Sequence, residues 1–107
     1  KDEKDEEILK NMQIALENET MSNTVEYNES NGNFIVTYTA PKQFLDSVKG
    51  SNFDSVRNEK LGYSKLKKCI DDSKAENRNL IINLKAENED TIYFQVDNDN
   101  ITIDKMK

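Results

Sequence analysis

The run "TVEYNESNGNFIVTYTA", residues 24–40, contains the pattern that decides the fold. From Phe34 onward, apolar side chains recur at every second position, as they do in a strand with one buried face. Val25 and Tyr27 alternate in the same way before the turn "ESNG", in which Gly32 tolerates the positive φ that such a turn requires. The sequence therefore predicts a β-hairpin.

An amphipathic helix is predicted on the N-terminal side of this hairpin. Residues 5–18 place Ile8 and Leu16 on one apolar stripe, and three acidic residues lie at the helix N-terminus, where the helix dipole favours negative charge. The preceding residues 1–4 are all charged and are interpreted as a lead-in or tether. The remaining residues, 5–107, have the length of one domain.

Helices and then strands are predicted on the C-terminal side of the hairpin. Pro41 opens one helical pattern, and residues 51–77 form a longer one that Gly62 bends or splits. Three strand patterns follow, namely "LIINLKA" (80–86), "TIYFQV" (91–96) and "ITI" (101–103). Alternation predicts the inward-facing residues of these strands, which are Leu80, Ile82, Leu84 and Ala86, then Ile92, Phe94 and Val96, and then Ile101 and Ile103. We therefore predict an α+β fold. It consists of an N-terminal helix, a β-hairpin, a broken long helix and a three-stranded antiparallel meander, forming one antiparallel sheet packed on helices.

The acidic stretch "QVDNDNITID", residues 95–104, has two interpretations. Asp97 and Asp99 match the first two ligand positions of a calcium-binding EF-hand loop, but the fifth position is Ile101 and no glycine follows it. Asn and Asp also favour tight turns, because they tolerate left-handed backbone and bond to nearby amides. A hairpin turn is the favoured interpretation, and a looser calcium site is the alternative.

Composition excludes several classes of function. The chain has no histidine and one cysteine, Cys69, so it cannot form a Ser-His-Asp triad, a His/Cys zinc site or an internal disulfide. The net charge of −6 predicts no nucleic-acid partner, and no apolar run is long enough to span a bilayer. We expect a protein that is not an enzyme and uses no cofactor. Acid–base catalysis by a pair such as Asp71 and Asp72 is the less favoured alternative.

A partner-binding patch is predicted on the outer side of the sheet. Strand alternation places Tyr93 opposite the inward-facing Phe94, with Gln95 on the same side as Tyr93 and Ile81 on a neighbouring strand. The alternative interpretation is an ordinary sheet face covered by an aromatic ring. A second functional hypothesis is a small-ligand pocket on the inner side of the sheet, and its predicted lining is Phe34, Tyr38, Tyr63 and Phe94.

The order of elements resembles the cystatin-like and NTF2-like group of folds, since a helix precedes a mainly antiparallel sheet and a further helix follows the second strand. The alternative topology is a four- or five-stranded αββαββ sheet of another kind. Thirteen lysines against two arginines, with fourteen asparagines, indicate a low-GC bacterial source. The chain is similar to small lipoproteins of such bacteria. That resemblance implies a non-catalytic, extracytoplasmic interaction domain tethered to the membrane through a segment before Lys1, with a cytoplasmic location as the alternative. The cystatin inhibitory motif Gln-x-Val-x-Gly is missing from "QVDND", so protease inhibition is not implied.

Overall fold

The computed structural model describes residues 1–61 and 63–107, apart from the side chain of Lys60. In these residues, four helices and five strands form an α+β fold, as predicted. The helices are α1 (Glu3–Leu16), α2 (Lys42–Val48), α3 (Phe53–Lys60) and α4 (Tyr63–Ala75). The strands are β1 (Ser22–Asn28), β2 (Asn33–Ala40), β3 (Leu80–Ala86), β4 (Ile92–Asp97) and β5 (Asn100–Asp104).

Helix α1 begins two residues earlier than the sequence predicted. Asp2 is its N-cap and accepts a hydrogen bond from the backbone N–H of Asp5 at 2.9 Å, while the Asp5 carboxylate accepts one from the Asp2 N–H at 3.3 Å. Such a capping box satisfies amides that the first turn would otherwise leave without partners. The predicted lead-in, residues 1–4, therefore includes the cap and the first helical residues.

The hairpin is confirmed. Strand β1 pairs antiparallel with β2 in a regular register from Ser22 opposite Thr39 to Asn28 opposite Asn33. Gly32 closes the turn at φ +73°, and a Cβ added there would overlap the Arg78 guanidinium. The backbone conformation therefore favours glycine at this position, and any larger residue would also have to displace the Arg78 guanidinium.

The prediction of a wholly antiparallel sheet is wrong. The strand order is β1-β2-β3-β4-β5, but β2 and β3 run parallel, with Phe34 opposite Leu80 and Ala40 opposite Ala86. Helices α2, α3 and α4 lie between these two strands in the chain, and a helical crossover is the connection that parallel neighbours require. Strands β3, β4 and β5 pair antiparallel in chain order.

The predicted long helix appears as α3 and α4. Gly62, at which the sequence predicted a bend, lies outside the described residues. Each helix in the described part of the chain is too short and too polar to cross a membrane.

One hydrophobic core lies between the helices and one face of the sheet. Alternate residues of β2 and β3 are buried, as predicted, and so are two residues of β4. They are Phe34, Val36, Tyr38 and Ala40 in β2, Leu80, Ile82, Leu84 and Ala86 in β3, and Phe94 and Val96 in β4. Each of the four helices adds buried side chains to the same core, including Met12, Leu45, Phe53 and Ile70. The core positions of β2 and β3 are thus those that alternation predicted, and in β4 the prediction holds for Phe94 and Val96.

Strand β5 departs from its predicted pattern. Ile101 lies opposite the buried Val96 on the inward face, as predicted, but it is 49% exposed, since β5 is the edge strand. Ile103 was also expected to face inward, but it pairs with Gln95 and therefore lies on the opposite face. The register between β4 and β5 also shifts next to Gln95, which leaves Thr102 as an extra, bulged residue. A second shift between β3 and β4 leaves Tyr93 as the extra residue there, and the preceding Ile92, also predicted inward, is only half-buried.

Candidate functional site

The side of the sheet opposite the helices forms a half-exposed surface, here called the outer face. Cross-strand partners share a face, so the registers of the strands identify the residues in its central rows. Its residues are Thr24 and Glu26 of β1, Ile35 and Thr37 of β2, Ile81 and Asn83 of β3, and Gln95 and Asp97 of β4. All of them are half-buried or exposed, whereas their neighbours along β2 and β3 are buried.

Ile81 lies where the sequence predicted, on the outer face. It is the direct partner of Ile35 on β2, and the two form an apolar pair in the middle of the sheet. The same row continues to Glu26 on one side and Asp97 on the other. The outer face therefore has a small apolar centre between two acidic residues.

Gln95 also lies on the outer face, but its amide is already hydrogen-bonded within the sheet. Its Nε2 donates to Oδ1 of Asn83 at 2.7 Å, and its Oε1 accepts from Oγ1 of Thr102 at 2.8 Å. The result is a polar ladder across β3, β4 and β5. Gln95 holds this ladder in one arrangement, and a partner would meet a rigid polar surface rather than an unbonded amide.

Tyr93 is separated from the other two predicted residues. Its hydroxyl donates to Oε1 of Glu89 in the β3–β4 turn at 2.5 Å, and the Nζ of Lys42 lies 5.8 Å from its ring centroid. The hydrogen bond to Glu89, together with desolvation, raises the pKa of Tyr93. The structure thus brings Ile81 and Gln95 together and places Tyr93 in a separate contact with α2 and the turn.

Comparison with known proteins gives no match. No protein-family model, curated protein or solved structure is similar to this chain. Function therefore has to be inferred from geometry.

The predicted inner pocket is occupied by side chains. Phe34, Tyr38 and Phe94 are fully buried, and the Phe94 ring packs edge-on against Phe53 with centroids 4.8 Å apart. Only the fourth predicted lining residue, Tyr63, borders a groove, and that groove lies on the surface near β5. The three buried rings line none of the five best-formed grooves among residues 1–61 and 63–107.

One polar atom inside the core has no hydrogen-bond partner among the described residues. It is the hydroxyl of Tyr38, a residue that is 0% exposed. Desolvation, with a smaller effect from the nearby Glu19 carboxylate, raises the pKa of Tyr38. An unsatisfied buried hydroxyl destabilises the folded state, because it loses its bonds to water on folding.

Replacing Tyr38 with phenylalanine should therefore stabilise the protein. We expect the free energy of unfolding to rise by about 0.5–1 kcal/mol, measured as a higher urea midpoint with an unchanged m-value. The matched control is Tyr27→Phe, which removes a hydroxyl that donates to Asp5 at 3.3 Å and should lower the midpoint. A lower midpoint for Tyr38→Phe would show that its hydroxyl is satisfied in the folded protein.

A buried ionic cluster, which the sequence analysis missed, joins three parts of the chain. The Asp5 carboxylate is 0% exposed and accepts hydrogen bonds from Nη2 of Arg78 at 3.0 Å and from Nε of Arg78 at 3.3 Å. Tyr27 of β1 donates to the same carboxylate. The available signal was the position of Asp5 on the buried stripe of α1, three residues before Ile8. The cluster fixes α1 on the sheet and is a structural feature, since nothing in it faces a groove.

The pKa of Asp5 reflects two opposing influences. Desolvation is the largest single influence and raises the pKa. The opposing influences are the charge of Arg78 and the hydrogen bonds that the carboxylate accepts from Arg78, the Asp2 N–H and Tyr27. Together they lower the pKa below its ordinary value of 3.8. Asp5 is therefore ionised in the folded protein at neutral pH.

The turn in the acidic stretch is confirmed. Asp97 pairs with Asn100, and the loop consists of Asn98, at φ +54°, and Asp99. Asn98 also bonds back to β3, because its Oδ1 accepts from the Leu80 N–H at 2.8 Å. The Asp99 carboxylate accepts from Nζ of Lys74 at 2.6 Å, which is the main cause of its lowered pKa. The described residues contain no group of three or more side chains suited to holding a metal ion.

The basic residues of α4 are paired with carboxylates. Lys67 contacts Asp71 at 3.0 Å, Lys68 contacts Asp72 at 2.8 Å, and Lys65 forms an ion pair with Glu19. Lysines of α4 are followed four residues later by aspartates because such pairs interact along the solvent-facing surface of a helix.

Cys69, on the same helix, is buried, and desolvation raises the pKa of its thiol. Its environment is that of a packed side chain rather than that of an activated thiol, which requires a lowered pKa.

Proposed function

We propose that the protein is a non-catalytic binding domain that recognises a protein partner with its outer face. The observation that carries the proposal is the contrast between the two sides of the sheet. The inner side is filled by packed side chains from the helices, while the outer face is half-exposed from β1 to β4. A filled interior suits surface recognition better than the enclosure of a small ligand.

The composition of the outer face supports the same proposal. Ile35 and Ile81 provide an apolar centre, and threonine, asparagine and glutamine side chains surround it. The ladder through Gln95 holds part of this surface rigid, so that fewer side chains have to be ordered when a partner binds. Glu26 and Asp97 flank the isoleucine pair and favour a partner with basic groups at the corresponding positions.

The proposal extends to the fold group and the location of the protein. Helix α1 before the sheet and the helices between β2 and β3 support a cystatin-like or NTF2-like fold. The excess of lysine and asparagine and the acidic net charge support a bacterial, extracytoplasmic domain of the lipoprotein type. A cytoplasmic location is the alternative, and localisation of the tagged full-length gene product would decide between the two.

Site-specific crosslinking tests the outer face directly. With a photoreactive phenylalanine analogue at position 81, we expect a discrete adduct with a cellular protein. The matched control carries the same analogue at Ile14, which is 56% exposed on α1 and lies on the helical side of the sheet. Changing Ile35 to lysine should remove the adduct formed at position 81, because it replaces the neighbouring half of the apolar pair with a charge.

Two outcomes would contradict the outer-face proposal. One is equal crosslinking from positions 81 and 14, which would indicate nonspecific contact. The other is an adduct that persists in the Ile35→Lys variant.

A further inference from the structure

The two edges of the sheet differ in their protection against pairing with another strand. Strand β5 has five residues and a bulge at Thr102, and the Lys105 N–H after it continues the pairing with β4 by donating to the Tyr93 carbonyl at 2.8 Å. Bulges and short length are two of the devices by which proteins protect sheet edges. Strand β1 has seven residues in unbroken register, without proline or lysine. Glu26 is the only charged residue in β1.

The outward edge of β1 makes no backbone hydrogen bond to any described element. Its backbone pairs with β2 on one side, and its helical side is packed by α1. The backbone bonds outside regular elements involve β1 only at Asn28, in the hairpin turn. A row of unpaired N–H and C=O groups on a regular strand is a template for β-strand addition.

A groove runs beside this edge on the helical side of the sheet. It has a volume of about 540 Å³, and its lining combines the apolar side chains of Leu16, Met21 and Val25 with polar and acidic ones that include Glu17. A strand added to β1 would direct alternate side chains into this groove and the others towards the outer face. Leu16, Met21 and Val25 favour apolar side chains on the groove side.

The charges around the edge select the kind of segment that fits. Glu17 borders the groove, Glu26 lies on the strand itself, and both side chains are exposed without an ion-pair partner among the described residues. On the adjoining surface of α1, Glu6 is paired with Lys1 at 3.0 Å and Glu7 lies near Lys10, so the acidic character of the edge depends on Glu17 and Glu26. A second copy of this acidic chain would bring these carboxylates together, whereas a basic segment would neutralise them.

We infer that the free edge of β1 accepts an extended, basic segment of a partner protein as a sixth strand. Apolar side chains of that segment enter the groove beside Val25, and lysine or arginine side chains at the alternate positions lie near Glu26. The inference rests on the proposed role as a protein-binding domain, but it uses the β1 edge and does not require the outer-face pair Ile35 and Ile81.

The test uses defined peptides and isotope-labelled protein. The probe is a capped seven-residue peptide in which lysine alternates with valine, and its binding is followed by amide chemical shifts and by hydrogen exchange. We expect new protection at amides of β1 and none at β5. A peptide with glutamate in place of lysine should bind at least about tenfold more weakly. The lysine peptide with N-methyl groups along one edge should lose binding to a similar extent, because it keeps its charge but cannot complete the strand pairing.

Matched protein variants locate the site. The double variant Glu17→Lys/Glu26→Lys should weaken binding at least about fivefold. Glu59→Lys/Asp90→Lys makes the same change of charge at exposed positions on α3 and in the β3–β4 turn, away from the β1 edge, and should leave binding unchanged. Ile81→Ala should also bind the peptide normally, so that failure at the outer face and failure at the β1 edge can be told apart.

Four results would overturn the inference. The first is that the lysine peptide does not bind at millimolar concentration, and the second is that its N-methylated form binds equally well. The third is protection from hydrogen exchange at the amides of β5 instead of β1. The fourth is protection of the β1 amides by dimerisation of the protein itself.

Discussion

Replacing Phe94 with alanine is expected to lower the free energy of unfolding by about 4 kcal/mol, the largest effect of a single substitution that we predict. Phe94 is 1% exposed on β4 and packs against Phe53 of α3. Truncation removes buried apolar surface and leaves a cavity that the close-packed neighbours fill only in part. The measurement is the urea unfolding midpoint, followed by circular dichroism.

The control for Phe94 is Ile103→Ala on the adjacent strand. Ile103 lies on β5 opposite Gln95 of β4 and is only half-buried. Its truncation should therefore lower the free energy of unfolding by less than about 1 kcal/mol. Similar losses for the two variants would contradict the core position assigned to Phe94. A large loss confined to Phe94→Ala would also confirm that the space required by the inner-pocket hypothesis is filled.

Replacing Asp5 with alanine is expected to lower the free energy of unfolding by about 3 kcal/mol. The change leaves the Arg78 guanidinium and the Tyr27 hydroxyl without their common acceptor and removes one half of the α1 capping box. Asp90→Ala is the control, because Asp90 is an exposed carboxylate whose contact with Lys85 is long, at 3.9 Å. Equal midpoints for Asp5→Ala and the wild type would show that the cluster does not stabilise the fold.

The contribution of Asp5 should also depend on pH with a defined sign. Its pKa is lower in the folded protein than its ordinary value of 3.8. The stabilisation is therefore fully present above that value and is lost as the pH falls through the lower, folded-state pKa. We expect the difference in unfolding free energy between the wild type and Asp5→Asn to shrink from about pH 6 to about pH 2. A difference that stays constant over this range would contradict the assigned pKa.

The candidate site was only partly predictable. Alternation along β3 correctly placed Ile81 on the outer face, because side-chain direction in a strand depends on parity alone. The same reasoning grouped Tyr93 with Gln95, but the bulge at Tyr93 and its hydrogen bond to Glu89 give it a separate environment. The pairing of Gln95 with Asn83 and Thr102 was not predictable, because it depends on the registers of three strands.

By itself, the sequence determined the hairpin, the apolar stripe of α1 and the buried positions of β2 and β3, since each follows from a local period of 2 or 3.6 residues. Tertiary structure alone decided the parallel pairing of β2 with β3, the exposure of Ile101 at the sheet edge and the ion pair between Asp5 and Arg78. Those two residues lie 73 positions apart. A local period reports which side of an element is buried, but it does not specify the direction or identity of the neighbour, and those depend on how the whole chain packs.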